Sequence, residues 1–227
     1  MLANHCPFCE AKTNFGNTCD SCRGRHFLDG AISCVPYAQP LIRSLIHSWK
    51  YNGVAHVTEY LARFVGLSLN RARQSAQRMQ APILATGIGK QALRSLADTP
   101  ALLRGEPILL EPIPLHPKRE KERGFNQSLL LAQRLAGAGA SWRLSRSLSR
   151  TKKTAAQATL SGTDRRTNIA AAFELSDPEA VSGQHVVLVD DVITTGSTAD
   201  ALAQLLKEAG SISVWALTIA YGHPAHA

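Results

Sequence analysis

The sequence predicts an α/β fold: a central, mostly parallel sheet flanked by helices, with a small cysteine-bearing module at the N-terminal end. Three observations carry this. Val186-Val187-Leu188-Val189 is an apolar run that ends in Asp190-Asp191, a hydroxyl-rich loop and a helical pattern. Leu109 to Ile113 is a second largely apolar run, again followed by a loop and a helical pattern. Cys6-Pro7-Phe8-Cys9 and Cys19-Asp20-Ser21-Cys22 are two C-x-x-C pairs with nine residues between them. Strands that are apolar on both faces suit parallel sheets covered by helices. At 227 residues the chain can hold one substantial α/β domain and a small appendage.

The elements follow in order. Residues 1–30 form the cysteine module, 31–106 a helical region and 107–227 the α/β core. Leu41, Ile42, Leu45, Ile46 and Trp49 mark a helix that ends near Lys50-Tyr51-Asn52-Gly53. Leu61, Phe64, Val65, Leu69 and Ala72 mark a second. Both pack on the core and can contribute to a hood over a site. Ile83 to Thr86 reads as a strand and Lys90 to Ala97 as a helix; residues 82–106 carry no functional motif. A strand through about Ile113 leads into a proline-rigid loop and a basic segment. A helix then starts at Asn126, with Leu129, Leu130, Leu135 and Ala136 available for its buried side. After the Val186–Val189 strand, Leu202, Leu205, Leu206 and Ala209 define another helix, closed by Gly210. Ile212 to Ala220 is the last buried strand.

The segment after Val189 is built to hold an anion. Ligands of open α/β sheets bind beyond the carboxyl ends of strands, where Asp190 and Asp191 stand. Two adjacent carboxylates repel each other, so they suit a cation, hydroxyl donors or both. Thr194-Thr195-Gly196-Ser197-Thr198 offers successive backbone N–H groups, and its glycine allows close approach. Ser197 or Thr198 can cap the helix, whose dipole favours a phosphate by about 0.3–2 kcal/mol. Carboxylates for hydroxyls beside amides for a phosphate suggest a ribose 5-phosphate group.

The four cysteines Cys6, Cys9, Cys19 and Cys22 suit a closed tetrahedral zinc site. Disulfides are the alternative, disfavoured in a reducing compartment. His5 can compete as a ligand. Lys12, Arg23 and Arg25 offset thiolate charge. A segment this short has no sufficient core, so metal binding supplies folding energy. Cys34 lies outside the set and reads as a small buried side chain.

The string from Val186 to Thr198 resembles the binding motif for phosphoribosyl pyrophosphate (PRPP) of the type I phosphoribosyltransferases: a hydrophobic strand, two acids, two hydrophobic residues, then T-T-G-S-T. The resemblance implies that Asp190 and Asp191 hold the ribose hydroxyls. It implies that Thr194, Thr195, Gly196, Ser197 and Thr198 wrap the 5-phosphate. Pro112-Ile113-Pro114-Leu115-His116-Pro117-Lys118-Arg119 with Arg123-Gly124-Phe125-Asn126-Gln127-Ser128 is similar to the corresponding segment of the ComF/GntX family. These are phosphoribosyltransferase-like proteins tied to DNA uptake and use of external DNA. By that resemblance Leu115, His116, Lys118 and Arg119 contact pyrophosphate, with Arg123 near the helix start. Arg150, Thr154, Gln157, Leu160, Arg165, Asn168 and Phe173 match a further family pattern in the stretch where type I enzymes carry a mobile loop. Lys152, Lys153, Gln157, Arg165 and Arg166 are its candidates for closing over PRPP. Family members often begin with a zinc-binding module, many with a longer, double ribbon; this chain has one set of four cysteines. The whole predicts a type I phosphoribosyltransferase fold with a hood and a zinc-ribbon-like module, with structural zinc and with magnesium accompanying PRPP.

The formal charge of +8 and a pI near 9.5 mean a cationic surface suited to phosphate-rich partners. From Arg143 to Arg166 there are seven Lys or Arg residues against one Asp. The family resemblance implies single-stranded DNA as a partner, which a cationic surface suits; Phe8, Phe15 and Phe27 are the one aromatic cluster, fit either for base stacking or for packing against the metal knuckles. Proteins of competence or DNA translocation are further expected partners. No apolar run of ~20 residues predicts a membrane span, and no signal layout is visible. The expected location is cytoplasmic, with peripheral contact at the inner face of the membrane open. Three functions fit. One is a DNA-handling factor that binds PRPP. Another is an active phosphoribosyltransferase with catalytic Asp190 and Asp191, an unidentified acceptor and no need of a general base. The third is a PRPP sensor without turnover.

Overall fold

The computed structural model describes residues 4–51, 56–85, 99–138, 141–151 and 172–222. A short helix α1 (Asp20–Arg23) leads into β1 (Gly30–Pro36), followed by α2 (Pro40–Tyr51) and α3 (Val57–Ala85). One turn of helix, α4 (Ala101–Arg104), precedes β2 (Ile108–Pro112), α5 (Pro117–Arg123), α6 (Gln127–Ala138) and β3 (Trp142–Leu144). Two short strands, β4 (Leu148–Arg150) and β5 (Phe173–Leu175), come before α7 (Pro178–Val181), β6 (His185–Ile193), α8 (Ser197–Glu208) and β7 (Ser213–Tyr221).

Five strands form one parallel sheet in the order β1-β7-β6-β2-β3, and the apolar runs supply β2, β6 and β7. The central strand β6 alternates between two cores. Val187 and Val189 pack with Ile32, Trp49, Val65, Leu110, Leu131 and Leu217 under α2, α3 and α6. Val186 and Leu188 pack on the other face with Leu28, Ala31, Leu109, Phe173, Leu202 and Leu206, under α8 and the N-terminal module. Each such aliphatic side chain contributes roughly 1.5–3 kcal/mol by leaving water. β4 and β5 pair antiparallel as a separate two-stranded ladder.

The helices marked by Leu41–Trp49 and Leu61–Ala72 are α2 and α3, and Cys34 is buried in β1. Other expectations need correction. α3 runs on through Ala85, so Ile83 to Ala85 is helical, not a strand. The good helix formers Gln77 to Ala81 carry the helix past Pro82. Lys90 to Ala97 lies outside the described residues. The buried stripe of α6 is Gln127, Ser128, Leu131, Ala132 and Leu135, with Leu129 and Leu130 only half-buried. Its phase is set by Asn126, whose Oδ1 accepts the backbone N–H groups of Ser128 (2.9 Å) and Leu129 (3.3 Å) as an N-cap. The basic segment folds as α5, with Pro117 in the first turn and Gly124 closing it at φ 80°. β6 extends through Ile193, because Val192 and Ile193 still pair with Ala220 and Tyr221. The acidic pair therefore lies within the strand, not beyond it.

β1, β3, β4 and β5 are strands the sequence did not announce. β1 begins at Gly30, where a β-carbon would meet the Trp215 ring and stand 2.6 Å from the Gly16 carbonyl. That carbonyl accepts the Ala31 N–H at 2.9 Å, so the N-terminal module is sewn to the sheet at this point. Gly30→Ala is expected to cost about 1–3 kcal/mol from overpacking, read as a lower urea midpoint. An unchanged midpoint would contradict this packing.

Candidate functional site

β6 delivers the acidic pair and α8 starts four residues after Ile193, so the intervening turn is tight. Gly196 is the residue before α8 and has φ 71°, a left-handed conformation that favours glycine. Gly196 thus takes the cap position, and Ser197 is already helical. The side-chain cap expected from Ser197 or Thr198 is not formed. Instead the hydroxyls of Thr195 and Ser197 bond each other at 2.9 Å. Thr194 and Thr195 are exposed; Ser197 and Thr198 are half-buried. A cavity of about 70 Å³ is lined by Asp190, Thr194, Gly196, Thr198, Ile113 and Thr218. The positive end of the α8 dipole faces this turn.

The two carboxylates have distinct partners. Asp191 is buried and receives Lys50 Nζ at 2.5 Å and Gln127 Nε2 at 3.3 Å, both on Oδ2. Asp190 Oδ1 accepts the Ser128 hydroxyl and the Asp191 backbone N–H, each at 2.8 Å. Burial, then the neighbouring Asp191 charge, pushes Asp190 up to about 7. The residues around Asn126 divide the work. Asn126 caps α6 and donates to the Ile113 carbonyl at 3.2 Å, while Gln127 and Ser128 reach the acidic pair. Tyr51, next to Lys50, has its hydroxyl 3.3 Å from Arg123 Nη2, and the Arg123 guanidinium lies over its ring at 5.0 Å. Lys50, Gln127 and Ser128 are site residues that sequence reasoning left out; for Gln127 and Ser128 the resemblance of R-G-F-N-Q-S to the family segment was the available signal.

The β2–α5 segment leaves the same edge of the sheet, because β2 is the direct neighbour of β6. Leu115 and His116 are half-buried; Lys118 and Arg119 are exposed on α5. His116 also has a structural role, since its Nδ1 accepts the Lys118 N–H at 3.1 Å and caps α5. Lys118 lies 3.7 Å from Glu122, an exposed pair of little energetic weight. Lys152, Lys153, Gln157, Arg165 and Arg166 lie outside the described residues, as do Thr154, Leu160 and Asn168. The segment that holds them is bracketed by β4 and β5, with Arg150 opposite Phe173. Glu111, fully buried in β2, anchors this ladder by accepting the N–H groups of Ser147 (3.3 Å) and Leu148 (3.0 Å).

The four cysteines converge. The Sγ atoms of Cys6, Cys9, Cys19 and Cys22 all lie within 4.8 Å of one another, and none is in a disulfide. A tetrahedral tetrathiolate ion with bonds of ~2.3 Å needs sulfurs about 3.8 Å apart, so the cluster fits one metal ion. Bonding to Ser21 and Cys9 pulls Cys19 down to about 6, whereas desolvation and the neighbouring sulfurs push Cys22 up to about 12. A cation shared by the four sulfurs would offset the repulsion among thiolates this close. His5 is outside this set. It lines, with Cys6, Glu10, Ser33, Thr194 and Tyr221, a cavity of about 270 Å³ that adjoins the turn after β6. The module is thus one wall of the site. The three phenylalanines do not share a stacking surface: Phe15 packs toward the α3 core, Phe8 toward the α8 core, and Phe27 is half-exposed.

A phosphoribosyl transferase domain matches residues 128–225, from the serine that bonds Asp190 to just past β7. The DNA utilization protein YhgH of Escherichia coli K12 is 35% identical over 189 residues, which is 82% of this chain and 70% of YhgH. Competence protein F of Haemophilus influenzae is 40% identical over 129 residues, 56% of each chain. The chain belongs to the ComF/GntX family. Among solved structures, a hypoxanthine phosphoribosyl transferase of Trypanosoma cruzi covers 70% of this chain and 64% of its own, at 14% identity and a TM-score of 0.34. This ComF/GntX member combines a parallel five-stranded α/β sheet with a four-cysteine cluster. Among the described residues, no helix is long and apolar enough to cross a membrane.

Asp190 has a folded-state value raised above its ordinary 3.8 to about 7. The native state therefore holds a proton that the unfolded chain releases first. Its contribution is fully present below pH ~4 and is lost as pH rises toward 7. Wild-type stability is expected to fall through that window, and Asp190→Asn to flatten the fall, in urea titrations at stepped pH. Parallel wild-type and mutant curves would exclude a raised Asp190.

Proposed function

We propose that this chain binds PRPP with magnesium at the β6–α8 turn and acts in the uptake or use of DNA, in contact with single-stranded DNA. The observation that carries the reading is the acidic pair held by Lys50, Gln127 and Ser128 directly before a glycine-capped helix N-terminus. In this reading the amides and hydroxyls of Thr194 to Thr198 wrap the 5-phosphate. Asp190 and Asp191 receive the ribose hydroxyls. Lys50 lowers the charge that the pair presents to an incoming polyanion. Leu115 and His116 border the pyrophosphate, with Lys118 and Arg119 as its cations; Lys152, Lys153, Gln157, Arg165 and Arg166 close over it and exclude water. Magnesium, when bound beside the ribose and Asp190–Asp191, would neutralise the diphosphate charge. Zinc is the ion proposed for Cys6, Cys9, Cys19 and Cys22, since four thiolates are its usual closed structural set.

The DNA role is supported by the names of the relatives, a DNA utilization protein and a competence protein. The charge of +8 and the seven basic residues between Arg143 and Arg166 supply the electrostatic attraction. The proposed setting is the cytoplasm, with competence or translocation proteins at the membrane as partners. Turnover is the second reading, favoured by the intact acidic pair. Pyrophosphate would leave the anomeric carbon of PRPP through a cation-like state, the lone pair of an acceptor base would form the new bond to that carbon, and the carboxylates would hold the ribose as charge develops. A PRPP sensor uses the same contacts without an acceptor.

Calorimetry with PRPP and magnesium is expected to give saturable binding that Asp190→Asn/Asp191→Asn weakens by about 100-fold, since charge-assisted bonds to both hydroxyls are lost. Unaltered affinity would refute the ribose assignment. Release of pyrophosphate in the presence of a panel of bases separates turnover from sensing. Single-stranded DNA affinity is expected to fall with salt at a log–log slope of about −0.7 per phosphate contacted. A flat salt response would count against the DNA role.

A further inference from the structure

Two arms of the cysteine module end on the first turn of α8. The first arm is Phe8, which stands between Cys6 and Cys9. Its ring lies against Gly196, so close that a β-carbon there would be 3.0 Å from the ring edge. The same ring stacks on His26, with centroids 3.5 Å apart and planes 9° from parallel. The second arm is the turn from His26 to Leu28, which follows Cys22. His26 Nδ1 is 2.8 Å from Asp200 Oδ2, and the N–H groups of Phe27 and Leu28 donate to Asp200 Oδ1 at 2.7 and 3.1 Å. Asp200 is only 2% exposed, so these three partners replace its water. Gly196 and Asp200 bracket the first turn of α8, and the module grips both.

The grip depends on the cysteine cluster. Among the described residues up to Leu28, the buried apolar side chains are Cys6, Cys22 and Leu28. That is too few for the module to hold its own shape. An ion held by the four thiolates would fix Cys6 and Cys9 on either side of Phe8, and Cys22 just before the 26–28 turn. The phosphate turn would then inherit its rigidity from an ion bonded to other residues.

We propose that the metal-loaded cysteine module is the positioning element of the phosphate turn. Through Phe8 on Gly196 and Asp200 in the 26–28 turn, a divalent ion bound by the four cysteines sets the affinity of that turn for a sugar phosphate. The proposal rests on the reading of the turn as a PRPP site. Phe8 and Asp200 are positioning residues in it, since neither needs to touch the ligand. Coupling of this kind is reciprocal: the sugar phosphate must tighten the metal by the same factor.

The test uses the full zinc-loaded chain, with zinc content measured, and PRPP with magnesium as the probe. Phe8→Ala and Asp200→Asn are expected to keep one zinc per chain and to bind PRPP about tenfold more weakly, within the ordinary range of coupling between sites. Wild-type affinity in both zinc-loaded variants overturns the proposal. A second measurement needs no variant. Saturating PRPP should raise the midpoint concentration of a zinc-selective chelator that strips the wild-type metal, and equal midpoints overturn the proposal. If the zinc-loaded wild type gives no PRPP heat at all, the reading of the turn fails, and the proposal falls with it. PRPP binding without coupling removes the proposal alone.

Discussion

Two carboxylates share the end of one buried strand, and the need to give them partners organises the molecule around them. Asp190 and Asp191 sit in β6 between β2 and β7, with Asp191 buried and Asp190 half-buried, so protein groups must replace much of their water. Asp191 takes a lysine from α2 and an amide from α6; Asp190 takes a hydroxyl from α6. Removing a partner from a buried charge costs several kcal/mol, about 3–5 where the charge is left uncompensated. Segments that lie about 60 and 140 residues away in the chain are thereby tied to one point. The pair is costly to bury, and Asp190 lines the cavity beside the turn before α8.

The parallel sheet makes that turn available. All five strands run the same way, so the loops after β2 and β6 leave one edge side by side. One connection offers Leu115 and His116 and leads to Lys118 and Arg119 on α5; the other offers Thr194 to Gly196 and leads to Ser197 and Thr198 on α8. An anion placed between them would meet backbone amides, a helix dipole and basic side chains together. The N-terminal module closes a further side, where a cavity of about 270 Å³ runs from His5 and Cys6 to Thr194 and Tyr221. The module packs directly on that turn and on the first turn of α8, through Phe8 against Gly196 and the 26–28 turn against Asp200.

Much of this is legible in the linear pattern. The apolar run Val186–Val189, the glycine at 196 and the four cysteines each carry a local physical signature that needs no distant contact. The short strands are not legible. β3, β4 and β5 have three residues each and exist because neighbouring backbone pairs with them. Ile83 to Ala85 looks extended because an isoleucine-leucine pair follows a proline, yet the preceding turns of α3 carry the helix over it. The cap of α8 is ambiguous in sequence because a hydroxyl at 197 or 198 and a glycine at 196 are both good caps, and only the backbone turn decides. Lys50 and Asp200 are invisible as site residues, since each looks like an ordinary charge on an amphipathic helix.

The sequence by itself determined which groups could do chemistry here: the acidic pair, the glycine turn, the basic stretch and the four thiols. Those properties are set by residue type and spacing over a few positions. Only the tertiary structure decided which of them share a space and which charges leave water. It turned Lys50 onto Asp191 and Asp200 onto the cysteine module. The reason is that burial and pairing are properties of the packed chain. A carboxylate has no assigned partner until the sheet, the helices and the module have closed around it.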